Sequence, residues 1–109
     1  MRRVFLLLPL LVLAGNLFGK TSELFDQGNK AYQAGDFATA KERYEGLVKV
    51  GNGGVALSLN LGNTYFRLGE LGQARLWYER ALEAAPREED ARYNRDIVRE
   101  RVGDRKSVV

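Results

Sequence analysis

The stretch LGNTYFRLGELGQARLWYERALEAAP, from Leu61 to Pro86, decides the fold of this chain. Apolar residues, alternately small and large, recur in it at the three- and four-residue steps of amphipathic helices. Gly69 and Glu70 interrupt that pattern near its middle. The stretch therefore predicts two helices joined by a tight turn, and Pro86 ends the second helix.

The same pattern occurs once more, 34 residues earlier in the chain. Some positions are identical at this offset, and others hold similar side chains. The identical pairs are Gly28/Gly62, Asn29/Asn63, Gly35/Gly69, Ala40/Ala74 and Tyr44/Tyr78, and the similar pairs are Tyr32/Phe66, Phe37/Leu71 and Leu47/Ala81. This many matches at one period indicate an internal repeat.

Packing explains which residue types the pattern requires. Gly62 and Ala74, like their counterparts in the earlier copy, are small enough to let two antiparallel helices approach closely. Gly69 lies where the first helix must end, because glycine tolerates the left-handed conformation of such a stop. Larger residues are expected to fill the space between helices and toward the next repeat: Tyr65, Leu68, Leu71, Tyr78 and Leu82.

These spacings resemble the tetratricopeptide repeat, a helix–turn–helix unit of about 34 residues. The resemblance implies an all-α solenoid with repeat 1 and a connector in residues 20–54, repeat 2 in residues 55–88 and a third helix in residues 89–103. In that third helix, Arg95 and Asp96 take the places of Leu61 and Gly62. We therefore expect a polar capping helix and not the start of another buried unit.

The N-terminal segment, residues 1–19, differs in composition from the rest. Arg2 and Arg3 precede an apolar run from Val4 to Ala14, which has about the length of a signal-peptide core and is short for a bilayer span. We expect a signal peptide, with a short uncleaved anchor as the alternative, and export to the periplasm or the outer side of the inner membrane. No cysteine follows the run, which excludes a lipid-anchored lipoprotein and disulfides.

The last six residues, 104–109, are the translation of GATCGGAAGAGCGTCGTG, a widely used sequencing adapter whose next codon is a stop. We interpret them as a non-native tail on a natural chain cut at about Gly103. Under that interpretation, further segments of the natural protein follow residue 103.

Charge and residue types argue against nucleic-acid binding and catalysis. The formal net charge is +3, but residues 20–103 hold 13 basic and 13 acidic residues, which leaves no surplus of cations for a phosphate backbone. The chain lacks histidine and cysteine, the commonest catalytic bases, nucleophiles and metal ligands. Its carboxylate pairs, such as Glu79 and Glu83, lie on helix faces among basic residues. We expect no enzyme activity, no metal and no cofactor.

The resemblance to tetratricopeptide repeats also implies a binding surface. In that family the first helix of each pair lines a concave groove that holds a peptide, and asparagine amides can both donate to and accept from a peptide backbone. The matching positions are Phe25, Asn29, Tyr32, Leu59, Asn60, Asn63, Phe66, Arg67 and Asn94. An alternative is that Asn29 and Asn63 only satisfy helix ends within the solenoid. Trp77 is expected to pack at the helix edge, with stacking on a ligand as the alternative.

The chain also resembles the exported repeat proteins encoded in bacterial aerotolerance operons. The matching runs are ELFDQGN at Glu23–Asn29, LNLGN at Leu59–Asn63 and ARYN at Ala91–Asn94. The resemblance implies an envelope scaffold that binds a protein or peptide beside membrane-anchored partners. The alternative is the N-terminal interaction domain of a longer exported enzyme or wall-binding protein that continues beyond residue 103.

Overall fold

The computed structural model describes residues 19–108, with side chains described as far as residue 103. Five helices occur in this range, without any strand: α1 over residues 19–33, α2 Phe37–Lys49, α3 Val55–Arg67, α4 Leu71–Ala84 and α5 Glu89–Val108. The expected signal peptide or anchor lies outside the described residues, save for residue 19. Among the helices of the described range, none has the length and apolarity needed to cross a membrane.

The helices stack in chain order, as expected for an all-α solenoid. Helix α3 contacts α2 before it, its own partner α4, and α5, the first helix after that pair. Helix α5 in turn packs against α4. Repeat 1 is thus the pair α1 and α2, repeat 2 is the pair α3 and α4, and α5 covers the end of repeat 2.

Glycine permits the close approach within each pair, as the sequence predicted. A Cβ atom placed on Gly28 would lie 2.5 Å from a ring carbon of Tyr44, and one on Gly62 would lie 2.5 Å from the ring of Tyr78. Ala74, on α4, is fully buried. Each tyrosine ring therefore lies directly against the backbone of the first helix, which only a glycine at that position allows.

The turns between the paired helices also match their predictions. Gly35 and Gly69 have φ angles of +80° and +78°, the left-handed conformation expected where the first helix stops. Asp36 caps α2, since its Oδ1 atom accepts a hydrogen bond of 3.2 Å from the Thr39 N–H. Hydrogen bonding to Thr39, through its side chain and its backbone N–H, holds the pKa of Asp36 below its usual value. Glu70, at the equivalent position before α4, makes no such cap.

Helix α5 closes one end of the core. Its Ala91 and Val98 side chains are fully buried, whereas Arg92, Asp96 and Arg99 are exposed. The helix continues to Val108, beyond Gly103 and into the residues interpreted as a tail.

One expected core residue lies at the surface. Leu68 was expected in the interior, but its side chain is 37% exposed. It is the C-cap of α3, where the backbone leaves the helix and turns away from the packed face. The prediction for Leu68 is therefore wrong.

Candidate binding groove

Two neighbouring depressions lie along the first helices of the repeats. One, of about 230 Å³, is lined by Asn29, Tyr32, Gln33, Tyr44, Asn60 and Asn63. The other, of about 240 Å³, is lined by Tyr32, Asn63, Phe66, Arg67, Tyr78, Asn94 and Ile97. They share Tyr32 and Asn63, so together they form one surface contributed mainly by α1, α3 and α5, which we call the groove.

A hydrogen-bonded unit of three side chains supports the groove in each repeat. In the first unit, Asn29 Oδ1 accepts a bond of 2.6 Å from the Tyr44 hydroxyl. It also accepts a bond of 3.4 Å from the Asn60 amide on the next repeat. The unit thus joins both helices of repeat 1 to the first helix of repeat 2.

The second unit repeats this arrangement 34 residues further along the chain. Asn63 Oδ1 accepts a bond of 2.7 Å from the Tyr78 hydroxyl and one of 3.0 Å from the Asn94 amide. Asn94 therefore takes the position of Asn60, which shows that α5 continues the register of the repeats.

The asparagine amides retain groups that can bond to a partner. Asn29 and Asn63 are held through their oxygen atoms by side chains of neighbouring helices, and they cap no helix end. Their Nδ2 groups form no hydrogen bond within the described part of the chain. No fully buried side-chain nitrogen or oxygen lacks a partner there, so these Nδ2 groups are not fully buried.

Burial widens the pH range over which the tyrosine hydroxyls stay protonated and can donate. Desolvation raises the pKa of Tyr44 above its usual value, and it raises that of Tyr78 further. Both hydroxyls therefore remain neutral donors to the asparagine oxygens to a higher pH than an exposed tyrosine would. The position of each asparagine amide in the groove is fixed as a result.

Aromatic rings position cations beside the groove. The guanidinium carbon of Arg67 lies 4.8 Å from the centre of the Phe37 ring. The guanidinium carbon of Arg101 lies 4.8 Å from the centre of the Phe66 ring. Among the described residues that line the groove, Arg67 alone is charged. The groove therefore has a positive end, next to the apolar surface of Phe66.

Of the nine predicted groove residues, the structure brings all except Phe25 and Leu59 together in the groove. The Phe25 ring packs 6.1 Å from that of Tyr44. It lines a separate depression with Leu47 and Leu57, near the connector between the repeats. Leu59 is partly buried against the core.

Trp77 is not available to stack on a ligand. Its side chain is only 9% exposed and belongs to the hydrophobic core. The Arg80 guanidinium covers the ring at 4.4 Å from its centre. The suggestion of a stacking role for Trp77 is therefore wrong, since the ring is used for packing.

Sequence reasoning missed four groove residues, Gln33, Tyr44, Tyr78 and Ile97. Ile97 lies 34 residues after Asn63, so the repeat offset itself could have found it. The two tyrosines were assigned to packing alone, and nothing in the sequence pattern shows that their hydroxyls reach into the groove.

The stacked helix pairs, with a groove along the first helix of each pair, define a helical-repeat protein. A family model described as tetratricopeptide repeat matches residues 25–89, more than half of the chain. The chain therefore belongs to the tetratricopeptide repeat family. Comparison with curated proteins gives no match. Repeats of this family generally mediate protein–protein interactions and generally serve as non-catalytic scaffolds.

Proposed function

We propose that this chain is a non-catalytic protein-binding module that holds an extended segment of a partner protein in the groove. The observation that carries the proposal is the repeated unit of asparagine, tyrosine and asparagine. Each unit leaves an amide donor open to the groove. An extended polypeptide needs such groups, because its backbone N–H and C=O groups have no partners of their own.

The groove is preorganised for this task. The side chains of Asn29 and Asn63 are each held by a tyrosine and by the next asparagine. Arg67 is held against a ring. Ordering a free side chain on binding costs about 0.5–1.5 kcal/mol, and side chains that are already held avoid much of that cost.

The two-part shape of the groove suits a peptide. It consists of two adjoining depressions of about 230 and 240 Å³. Each depression suits one side chain. Two of them in sequence suit a chain that passes over both.

For the setting, we propose the bacterial cell envelope, with membrane-anchored proteins among the partners. The apolar run near the N-terminus and the resemblance to proteins of aerotolerance operons support this setting. Fractionation of cells that express the full chain with a C-terminal tag tests it. Tagged protein in the envelope, and its loss from the envelope when residues 2–18 are deleted, would support export; equal fractionation of both forms would contradict it.

A second candidate is that the chain forms the interaction domain of a longer exported enzyme or wall-binding protein. The match of residues 104–109 to a translated sequencing adapter favours it. Genomic sequencing past the codon for Gly103 decides: a continuing reading frame supports a longer protein, and codons for residues 104–109 followed by a stop refute it.

Nuclear magnetic resonance tests where a peptide binds. Peptides selected from a random library by the full chain are titrated into the isotope-labelled protein. The side-chain amide signals of Asn29, Asn60, Asn63 and Asn94 should shift, because these amides face the bound backbone. Gln73 on α4 is exposed and serves as the internal control. Shifts confined to α2 and α4 would refute binding in the groove.

A further inference from the structure

We propose that the groove selects partner segments in which an acidic side chain lies within two residues of an apolar one. The carboxylate bonds to Arg67, and the apolar side chain enters the depression beside Phe66 and Ile97. This inference rests on the proposed function, since it names the kind of peptide that the groove binds.

Arg67 has no acidic partner among the described residues. The ion pairs found there join Lys41 to Glu70 at 3.4 Å, Arg75 to Glu79 at 3.8 Å and Arg95 to Asp96 at 3.2 Å. Arg67 forms neither an ion pair nor a hydrogen bond with any described residue, and it is exposed. Its charge is therefore free to meet a carboxylate from outside.

The guanidinium group of Arg67 is held beside an aromatic ring. Its central carbon lies over the ring of Phe37, at 4.8 Å from the ring centre. Stacking occupies a face of the guanidinium plane and leaves the N–H groups at its edge, where they can bind a carboxylate through two parallel hydrogen bonds. Arg101, on the ring of Phe66, adds a second cation at the same end of the groove.

Acidic residues lie away from the groove. None of the described residues that line the groove is acidic. Asp96 and Glu100 line a different depression, with Arg99. Since residues 20–103 carry equal numbers of basic and acidic residues, the positive groove is a local feature and not a general excess of charge. A basic segment would be repelled by Arg67 and would find no acidic partner there.

The preference for an apolar side chain in the partner follows from the depression that Arg67 lines. Phe66 and Ile97 are half-buried and line it together with Arg67, in a volume of about 240 Å³ that suits one side chain. Residues of an extended chain follow one another at about 3.3 Å. An acidic residue one or two places from the apolar residue therefore comes within reach of Arg67.

Selection from a peptide library tests the preference. The full chain is panned against random peptides of about ten residues, long enough to cross both depressions, and displayed without a free C-terminus so that only side-chain carboxylates can respond. We expect enrichment of Asp or Glu within two residues of Leu, Ile, Val or Phe. Selected sequences are then made as amidated peptides, and their affinities are measured by fluorescence anisotropy.

The variants Arg67→Gln and Arg75→Gln separate the groove cation from an exposed cation on α4. Replacing the peptide's Glu by Gln should weaken binding to wild type and to Arg75→Gln about tenfold, as for loss of a charge-assisted hydrogen bond. The same replacement should have little effect on binding to Arg67→Gln. Arg67→Glu should prefer the peptide in which Lys replaces Glu. Circular dichroism verifies that each variant is folded.

Two outcomes would overturn the inference. If peptides bind in the groove without acidic enrichment, and Arg67→Gln treats Glu and Gln peptides as wild type does, the preference is refuted while the proposed function stands. If the library yields no peptide whose binding depends on groove residues, the preference and the proposed function fail together.

Discussion

Gly62 lies where the ring of Tyr78 crosses the first helix of repeat 2. A methyl group there would be 2.5 Å from the ring, so either the ring or the helix must move. We predict that Gly62→Ala destabilises the domain by about 1–3 kcal/mol, the usual cost of overpacking a core. Urea unfolding followed by circular dichroism measures the effect.

Gly46→Ala is the matched control for that substitution. Gly46 is also inside a helix, but its added methyl group would lie 3.6 Å from Leu24, an ordinary contact. Alanine should therefore stabilise the domain by about 0.5–1 kcal/mol, through its higher helix propensity. Equal effects of both substitutions would show that Gly62 is not required for close packing.

The buried tyrosines predict a loss of stability at alkaline pH. Burial raises the pKa of Tyr44, Tyr65 and Tyr78 in the folded protein above the unfolded value of 10.0. Folding therefore disfavours the tyrosinate form, so this contribution to stability is complete below pH 10 and is lost as pH rises through the folded pKa values. Urea unfolding at a series of pH values should show a decline that begins near pH 10.

Tyr78→Phe tests how much of this loss of stability comes from Tyr78. The variant loses the hydroxyl bond to Asn63, at a cost of about 1 kcal/mol near neutral pH. It should also lose less stability than wild type at alkaline pH, because one titrating group is gone. Tyr93→Phe, at an exposed tyrosine, is the control and should keep the wild-type decline. If Tyr78→Phe loses as much stability at alkaline pH as wild type does, the decline does not come from titration of Tyr78.

At the scale of the elements, α2 and α4 begin in the same backbone conformation but differ in their caps. Asp36 and Glu70 both have φ −87° and ψ 75°, yet only Asp36 accepts a bond from the N–H three residues on. Glu70→Asp should cap α4 through the Gln73 N–H and stabilise the domain by about 0.5–1 kcal/mol. The exposed ion pair with Lys41 that the change removes contributes little.

Thermal unfolding measures this effect, and Glu70→Gln serves as the control. Glutamine removes the charge of Glu70 and its ion pair with Lys41 without supplying a short capping side chain, so it should not stabilise the domain. A melting temperature of Glu70→Asp at or below that of Glu70→Gln would show that the cap does not form.

The elements were largely predictable because their signals are local. Gly35, Gly69 and Asp36 determine turns and caps through their own backbone and side-chain preferences. Contacts between helices were predictable only where the repeat fixed them, as for Gly62. Leu68 was assigned wrongly, and a stacking role for Trp77 was left open, because the apolar pattern does not show which way a side chain points at a helix end or beside a core position.

The groove residues were predictable where the repeat register fixed their positions, but their contacts with other helices were not. The repeat register placed the asparagines on the first helices. It could not show that Asn29 and Asn63 are bound to tyrosine hydroxyls, because that depends on the distance between paired helices. The cation stacked on Phe37 also depends on tertiary structure, since Arg67 comes from the next repeat.

At the scale of the whole molecule, α5 stabilises the solenoid by covering its open end. Its Val98 side chain is fully buried and belongs to the main core cluster. Val98→Ala should lower the free energy of unfolding by about 2 kcal/mol, from the two carbons removed and the cavity left. Arg99→Ala changes the exposed neighbouring residue. Its free energy of unfolding should stay within about 0.5 kcal/mol of the wild-type value.

Urea unfolding of these two variants also reports on cooperativity. Since α5 contacts both helices of repeat 2, the loss should appear in one transition shared by the whole domain. A separate early transition of α5, with the rest of the domain unchanged, would contradict its role as an integral cap.

The central claim is that the groove on α1, α3 and α5 binds a partner segment. The most direct test is the affinity of a library-selected peptide for Asn63→Ala/Arg67→Ala, compared with Gln73→Ala/Arg75→Ala on the exposed surface of α4. We predict at least about a tenfold loss for the first variant, which removes two polar contacts, and wild-type affinity for the second. Melting curves show that both remain folded. Unchanged affinity in the groove variant, with a lowered melting temperature, would contradict the claim.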